Sequence, residues 1–205
     1  MLTVSENRFV TSATWQEYEK FLEAVGERPI RLTYDRGRLE IFSPSLDHKK
    51  AKSLLGTLLE ALLFDWDRDY EAGGSTTFRR QDLDRGLEPD ECYWFEQARA
   101  IRKVGTIDLA RDPAPELVIE VEITCSVLNR LGLFHSLGVA EIWRLTQVGQ
   151  MVVLGWSEAG YQVLPVSRVL AGFPVPELTQ WLDTSERTRP QLLREFLRWA
   201  RAYKP

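Results

Sequence analysis

The spacing of hydrophobic residues along the chain predicts four helices. In each of them the apolar side chains recur every three or four residues, which gathers them on one face of a helix. Thr14 and Glu17 have the spacing of a capping box, in which each side chain accepts a hydrogen bond from the other residue's backbone N–H. The first helix should therefore begin at Thr14, and Gly26 is suited to end it. The predicted helices cover about residues 14–26, 47–64, 128–138 and 190–203.

Alternating apolar and polar residues predict the strands. Residues 30–34 and 39–42 alternate on either side of Asp35-Arg36-Gly37, whose composition is typical of a hairpin turn. Residues 116–123 form the clearest buried strand. Further strands are predicted before Gln81 and at 91–95, 140–145, 151–156 and 161–166. Strands mixed with helices in this order predict an α/β or α+β domain, with a mixed β-sheet flanked by helices.

The length and composition indicate a globular chain with one main domain. Its 205 residues are 44% hydrophobic and 27% charged, which is ordinary for a soluble protein. Pro174 and Pro176 predict a linker near the end of the last predicted strand. We therefore expect a domain over residues 1–184, followed over residues 185–205 by a basic amphipathic helix that packs on this domain or extends from it.

Composition argues against several classes of protein. No apolar run approaches the roughly 20 residues that a membrane span needs. The first ten residues lack the basic start and apolar core of a secretory signal, so we expect a cytoplasmic protein without a membrane partner. The two cysteines, Cys92 and Cys125, and the two histidines, His48 and His135, do not build a convincing disulfide framework or structural zinc site.

Carboxylates have the clearest potential for chemistry. Glu120 and Glu122 share the polar face of the 116–123 strand, because side chains alternate along a strand. Buried charges are costly unless they are paired or bind a cation, so these two residues either meet arginines or solvent, or form part of a metal site. Glu88-Pro89-Asp90 places another carboxylate at the head of the 91–95 strand. Since Mg²⁺ usually takes one or two carboxylates from a protein, these acids are candidate ligands.

Several short motifs resemble one protein family when their order is considered. They are Tyr34-Asp35-Arg36-Gly37-Arg38-Leu39-Glu40, Ser43-Pro44-Ser45 with His48, Glu88-Pro89-Asp90-Glu91-Cys92, Pro115-Glu116-Leu117-Val118-Ile119-Glu120-Val121 and Leu137-Gly138-Val139-Ala140-Glu141-Ile142-Trp143-Arg144. In this order the chain resembles the Uma-two family of restriction-endonuclease-like proteins, a bacterial branch of the PD-(D/E)xK nuclease fold. The resemblance covers about residues 14–182.

The resemblance implies a Mg²⁺-dependent or Mn²⁺-dependent DNA endonuclease with a restriction-endonuclease-like core. Asp90 and Glu120 would be its metal ligands, and the bound metal would make a hydroxide available for attack on the phosphate. Glu40 would be an additional acid near the site. His48 would face the same cleft, although a histidine at the core margin is an equal alternative.

One departure from the pattern concerns the positive charge of the site. Where the fold has a lysine two residues after the second acid, this chain has Glu122, and the following helix carries Arg130. An arginine can hold a phosphate but stays protonated, so it is a poor proton acceptor. Glu122 would orient the attacking water or bind metal, and Arg130 would stabilise charge. Arg130 could equally be a structural partner of Glu122.

The charge balance leaves three functional hypotheses open. The net charge of −4 argues against tight, non-specific DNA binding without a metal. A stripe of Arg194, Arg198 and Arg201 on the last helix is either a solvated face or a phosphate contact. The leading hypothesis is the endonuclease, acting on DNA as a homodimer because each strand of the duplex needs one site. The alternatives are a nuclease-fold DNA-binding or scaffold protein without activity, and an oligomer whose seven tryptophans mark a partner surface.

Overall fold

The computed structural model describes residues 7–26 and 28–205, which form a mixed α/β fold of two sheets and five α-helices. The helices are α1 (Trp15–Val25), α2 (Leu46–Trp66), α3 (Ala98–Ile101), α4 (Arg130–Leu137) and α5 (Arg189–Ala200). The strands are β1 (Asn7–Ser12), β2 (Arg31–Asp35), β3 (Arg38–Ser43), β4 (Glu71–Ala72), β5 (Phe78–Arg80), β6 (Arg85–Leu87), β7 (Glu91–Trp94), β8 (Leu117–Val121), β9 (Glu141–Leu145), β10 (Met151–Ser157) and β11 (Gly160–Leu164). Three 3₁₀ segments lie at Gln81–Leu83, Val175–Trp181 and Arg201–Tyr203.

The strands are divided between a smaller and a larger sheet. The N-terminal sheet has the order β1-β3-β2-β6-β5, and its strands pair antiparallel. The central sheet has the order β11-β10-β9-β8-β7-β4. Within it β8 and β9 are parallel, and α4 forms the crossover between them. The carboxyl ends of these two strands therefore lie side by side at one edge of the sheet.

The predicted hairpin is present as β2 and β3. Arg36 and Gly37 form its two-residue turn, and both have positive φ, 46° and 87°. This geometry matches the right-handed twist of paired strands. The predicted capping box is also present, since the Thr14 side chain accepts from the backbone N–H of Glu17 and the Glu17 carboxylate accepts from that of Thr14.

Both faces of the central sheet are buried at β8. Leu117, Ile119 and Val121 of β8 belong to the apolar cluster that includes α2 and α5. Val118, on the opposite face, packs with residues of α4. This alternation confirms the sequence prediction for β8, and it places Glu120 on the α4 face, beyond Val118.

The C-terminal part of the chain corrects one expectation. Pro174 and Pro176 do not form a linker, because the Val175–Trp181 segment is a 3₁₀ helix that buries Val175 and Trp181 in the main core. Helix α5 packs against α2. Arg201, the first residue of the 3₁₀ segment that follows α5, pairs with Asp65 at 2.7 Å. Asp65 lies 17 positions after His48 on α2, which is roughly 25 Å along a helix, so this end of the basic stripe is remote from the candidate site.

Most of the tryptophans belong to the core, so the seven together do not mark a surface. Six of the seven are buried or half-buried, and Trp156, at 40% exposed, is the exception. Cys92 and Cys125 are both free thiols. In the part of the chain that the structure describes, no helix is long and apolar enough to cross a membrane.

Close packing around Gly86 gives a first testable prediction. A Cβ atom at this position of β6 would lie 2.8 Å from the ring of Tyr18, which is fully buried. We expect Gly86→Ala to lower the free energy of unfolding by about 1–3 kcal/mol, because the ring cannot move aside without repacking the core. Denaturant titration measures this change. Gly105→Ala is the matched control, since a Cβ atom at that position would meet no described residue within 4 Å, and equal stability losses in both variants would contradict the prediction.

Candidate active site

A pocket of about 210 Å³ opens where the two sheets meet, beside the carboxyl ends of β8 and β9. Ligand sites of open α/β sheets commonly lie outside the carboxyl ends of strands. Five of the six residues predicted for the site line this pocket: His48, Asp90, Glu120, Glu122 and Arg130. The sixth, Glu40, accepts hydrogen bonds from residues 126–127, which form one side of the pocket.

The strand register brings Asp90 and Glu120 together. Asp90 directly precedes β7, whose Glu91 pairs with Ile119 of the antiparallel β8, so Asp90 lies level with Glu120. The backbone N–H of Asp90 donates to Glu120 Oε1 at 3.2 Å. In return, the backbone N–H of Val121 donates to Asp90 Oδ2 at 2.6 Å. These hydrogen bonds fix two carboxylates at one end of the same pair of strands.

The carboxylate of Asp90 is 2% exposed and has two further partners. The Arg31 guanidinium of β2 forms an ion pair with Oδ1. His48 Nε2 lies 2.7 Å from the same oxygen. Burial, together with the nearby Arg31, Arg8 and Arg130, lowers the pKa of His48 to about 3. The imidazole is therefore neutral at pH 7, and it holds Asp90 by donating its Nε2 proton.

Arg130 is the counter-charge of Glu120. Its Nε donates to Oε2 at 2.8 Å and its Nη2 donates to Oε1 at 3.0 Å, which is a bidentate pair. Nη1 reaches the hydroxyl of Thr33 in β2 at 2.6 Å, and Nη2 also reaches the carbonyl of Glu88 at 2.8 Å. Burial works against the charged form of Arg130, but Glu120, together with Glu40 and Glu88, outweighs burial and raises the pKa of Arg130. The alternative that Arg130 pairs with Glu122 is wrong, because the bonded acid is Glu120.

Glu122 lies at the wall of the pocket, and its side chain is 30% exposed. Its nearest cation is Arg144 of β9, with 3.7 Å between Oε2 and Nη1. At this distance the two side chains form an ion pair but no direct hydrogen bond. Glu122 is therefore the most accessible and the least constrained of the acids that line the pocket.

Glu40 is 1% exposed and joins the two sheets. It accepts from Arg8 Nη1 of β1 at 2.8 Å. It also accepts from the Ser126 hydroxyl and, at 2.8 Å, from the backbone N–H of Val127, in the segment between β8 and α4. With these donors Glu40 is an anchor for the pocket wall, and its carboxylate does not line the pocket.

Sequence reasoning did not single out the three arginines that complete the site, Arg8, Arg31 and Arg144. A usable signal existed for Arg31, since alternation places it on the polar side of β2 with Thr33, opposite the core residues Leu32 and Tyr34. Arg144 lies in the predicted 140–145 strand, and its side chain projects from the same face of the sheet as that of Glu120. The parallel pairing that makes the two residues neighbours is a tertiary feature, which the sequence pattern does not reveal. Arg8 lies in β1, an exposed strand without an alternating pattern.

The donor set of the pocket bears on metal binding. Asp90 and Glu120 offer two adjacent carboxylates, which is as many as Mg²⁺ usually takes from a protein. Their chemistry therefore fits a hard cation, which would compete with Arg130 for Glu120 and with Arg31 for Asp90. Among the described residues, no group of three or more histidine, cysteine, aspartate or glutamate side chains is arranged to hold a metal.

Comparison with known proteins agrees with this architecture. A family model described as "Putative restriction endonuclease", Uma2, matches residues 15–185. The chain belongs to the Uma2 family. This Uma2 chain also resembles the crystal structure of a "putative nuclease belonging to DUF820" from Anabaena variabilis, with a TM-score of 0.51 and 16% sequence identity over 89% of this chain and 97% of that one. No curated protein matches the sequence.

These comparisons confirm the family and the fold class that the order of motifs predicts for this Uma2 chain. The likeness to the Anabaena protein concerns the fold alone at this level of identity. The roles of individual residues in the pocket rest on their geometry.

Proposed function

We propose that the protein is a Mg²⁺-dependent DNA endonuclease that hydrolyses phosphodiester bonds. The observation that carries this proposal is the convergence of Asp90 and Glu120, from two paired strands, on a pocket that is also lined by arginines. Family membership supports the same reaction class. Acids that bind a cation and arginines that hold phosphate are the groups that phosphodiester cleavage requires.

Each of the six residues predicted for the site has a role in this proposal. Asp90 and Glu120 would hold Mg²⁺ or Mn²⁺, which supplies charge neutralisation and an activated water when bound. His48 keeps the Asp90 carboxylate oriented through the 2.7 Å contact. Glu122, which is accessible at the pocket wall, would orient a water molecule. Arg130 neutralises Glu120 before a cation arrives, and Glu40 holds the wall of the pocket through Ser126 and Val127.

The partner and assembly are also proposals. The substrate would be DNA, since the family is described by restriction activity. A homodimer would give one site to each strand of a duplex. Light scattering of the purified chain tests this arrangement, and a monomer that cuts both strands with equal efficiency would contradict it.

A plasmid assay tests the proposed activity directly. We expect the purified chain to convert supercoiled plasmid DNA to nicked or linear forms with Mg²⁺ or Mn²⁺, and EDTA should stop the reaction. The physical reason is that the unscreened negative charge of the phosphate opposes attack when no cation is bound. Cleavage that is equally fast in EDTA would contradict the metal dependence, and absence of cleavage with both metals would contradict the nuclease proposal.

A specific observation favours a second candidate function. Arg130 already occupies both oxygens of Glu120, and Glu122 stands where the wider nuclease fold has a lysine. A nuclease-fold protein that binds DNA without cutting it would have such a site. Salt-dependent DNA binding without cleavage in the same plasmid and metal series would identify this case.

A further inference from the structure

Four arginines line the pocket, and three of them are engaged by protein partners. Arg8 and Arg130 donate hydrogen bonds from Nε and both Nη atoms. Arg31 pairs with Asp90 and also reaches the Ser75 hydroxyl at 3.3 Å. These three side chains have fixed positions and little remaining capacity to bind anything that enters the pocket.

Arg144 differs from the other three arginines. Its closest acid is Glu122, at 3.7 Å, which is too far for a hydrogen bond. Its Nε is buried and has no hydrogen-bond partner among the described residues. An arginine carries five N–H donors, and leaving a buried donor without a partner is costly. The side chain is 29% exposed on the pocket wall, so an entering anion can reach it.

The strand pairing fixes where such an anion would lie. In the parallel β8–β9 register Arg144 is opposite Glu120, and both side chains project from the same face. An anion on Arg144 would therefore be held beside Glu120, one strand away from Asp90. Glu122 does not prevent this, because its ion pair with Arg144 is loose and partly exposed to solvent.

We propose that Arg144 binds a backbone phosphate of the DNA substrate and holds it against the acidic pair. This inference rests on the proposed function and adds to it the residue that positions the substrate. The guanidinium would form a fork of two N–H donors to two phosphate oxygens, which its planar geometry allows and which Arg8 and Arg130 cannot offer while they hold their partners.

The test measures DNA binding separately from cleavage. The full chain is titrated with a labelled DNA duplex of mixed sequence at several salt concentrations, once in EDTA buffer and once with Mg²⁺. We expect Arg144→Gln to raise Kd by about tenfold near 0.1 M salt, and to reduce the slope of log K against log salt by about 0.9, because one phosphate contact is lost. Arg144→Lys should keep the slope, since it preserves the charge. Arg99→Gln, an exposed arginine outside the pocket, is the control for formal charge.

The outcomes separate this inference from the proposed activity. An Arg144→Gln variant with unchanged Kd and slope would overturn the inference, even if the wild-type chain cleaves plasmid. A weakened Arg144→Gln variant of a wild-type chain that never cleaves would support the inference and overturn the nuclease. A wild-type chain that binds the duplex neither in EDTA nor with Mg²⁺ would overturn both. Thermal melts of all variants should agree closely, because Arg144 makes no short side-chain bond to an acid in the described part of the fold.

Discussion

Replacing Asp90 with asparagine should reduce Mg²⁺-dependent DNA cleavage by at least about a hundredfold. Asparagine keeps the shape of the side chain and an oxygen that can accept from the backbone N–H of Val121. It removes the negative charge that a divalent cation needs and that balances Arg31. The measurement is the rate of plasmid nicking under saturating Mg²⁺.

Two controls decide how this result is interpreted. Circular dichroism must show that the Asp90→Asn chain is folded at the assay temperature, because Arg31 loses a buried partner. Glu122→Gln should affect the rate less than Asp90→Asn, since Glu122 is partly exposed and has no short hydrogen bond to a cation. If Asp90→Asn cleaves as fast as the wild type, Asp90 is not a ligand of the catalytic metal.

Replacing Arg130 with alanine should cause the largest loss of stability among the site variants. The change leaves the Glu120 carboxylate without its bidentate partner, and it removes the bonds to Thr33 and to the Glu88 carbonyl. Breaking a buried pair by removing one member costs about 3–5 kcal/mol. For a chain of this length, that corresponds to a fall in Tm of roughly 10 °C.

Metal should partly restore the stability of the Arg130→Ala variant. Because the cation and Arg130 compete for Glu120, Mg²⁺ should raise the Tm of Arg130→Ala more than that of the wild type. Arg130→Lys keeps the positive charge but loses the bidentate pair with Glu120. Its Tm should therefore lie between those of Arg130→Ala and the wild type. Arg198→Ala, on the exposed side of α5, controls for the loss of a surface arginine. A Tm for Arg130→Ala equal to that of the Arg198→Ala control would contradict this account.

Local patterns predicted most of the elements of the fold. The capping box at Thr14, the β2–β3 hairpin and the alternating strand β8 depend on short-range preferences, and each is present. Strand β6 was missed because it is three residues long and contains Gly86, and its pairing with β2 stabilises it. The supposed linker at Pro174 and Pro176 was wrong because the apolar residues between and after the prolines are buried by distant parts of the chain.

The candidate site was predictable only in part, for a related reason. The sequence places Asp90 just before one strand and Glu120 on the next, and the register of β7 and β8 brings them together. The counter-charges come from elsewhere in the chain: Arg31 from the N-terminal sheet and Arg130 from the crossover helix. Which arginine meets which acid depends on how the two sheets dock, and no spacing along the sequence encodes that choice.

The ion pairs between the two sheets imply that stability of the fold and activity of the pocket place opposite demands on the same residues. The N-terminal sheet meets the central sheet through Glu40, Arg31 and Thr33, where a purely structural interface would have apolar side chains. Well-packed apolar residues at such positions are often as stabilising as buried ion pairs, or more so. Selection for thermal stability alone would therefore favour an apolar interface between the two sheets, and the charged pocket would be lost. If the proposed function holds, the charged interface is where this chain gives up stability to keep a ligand site.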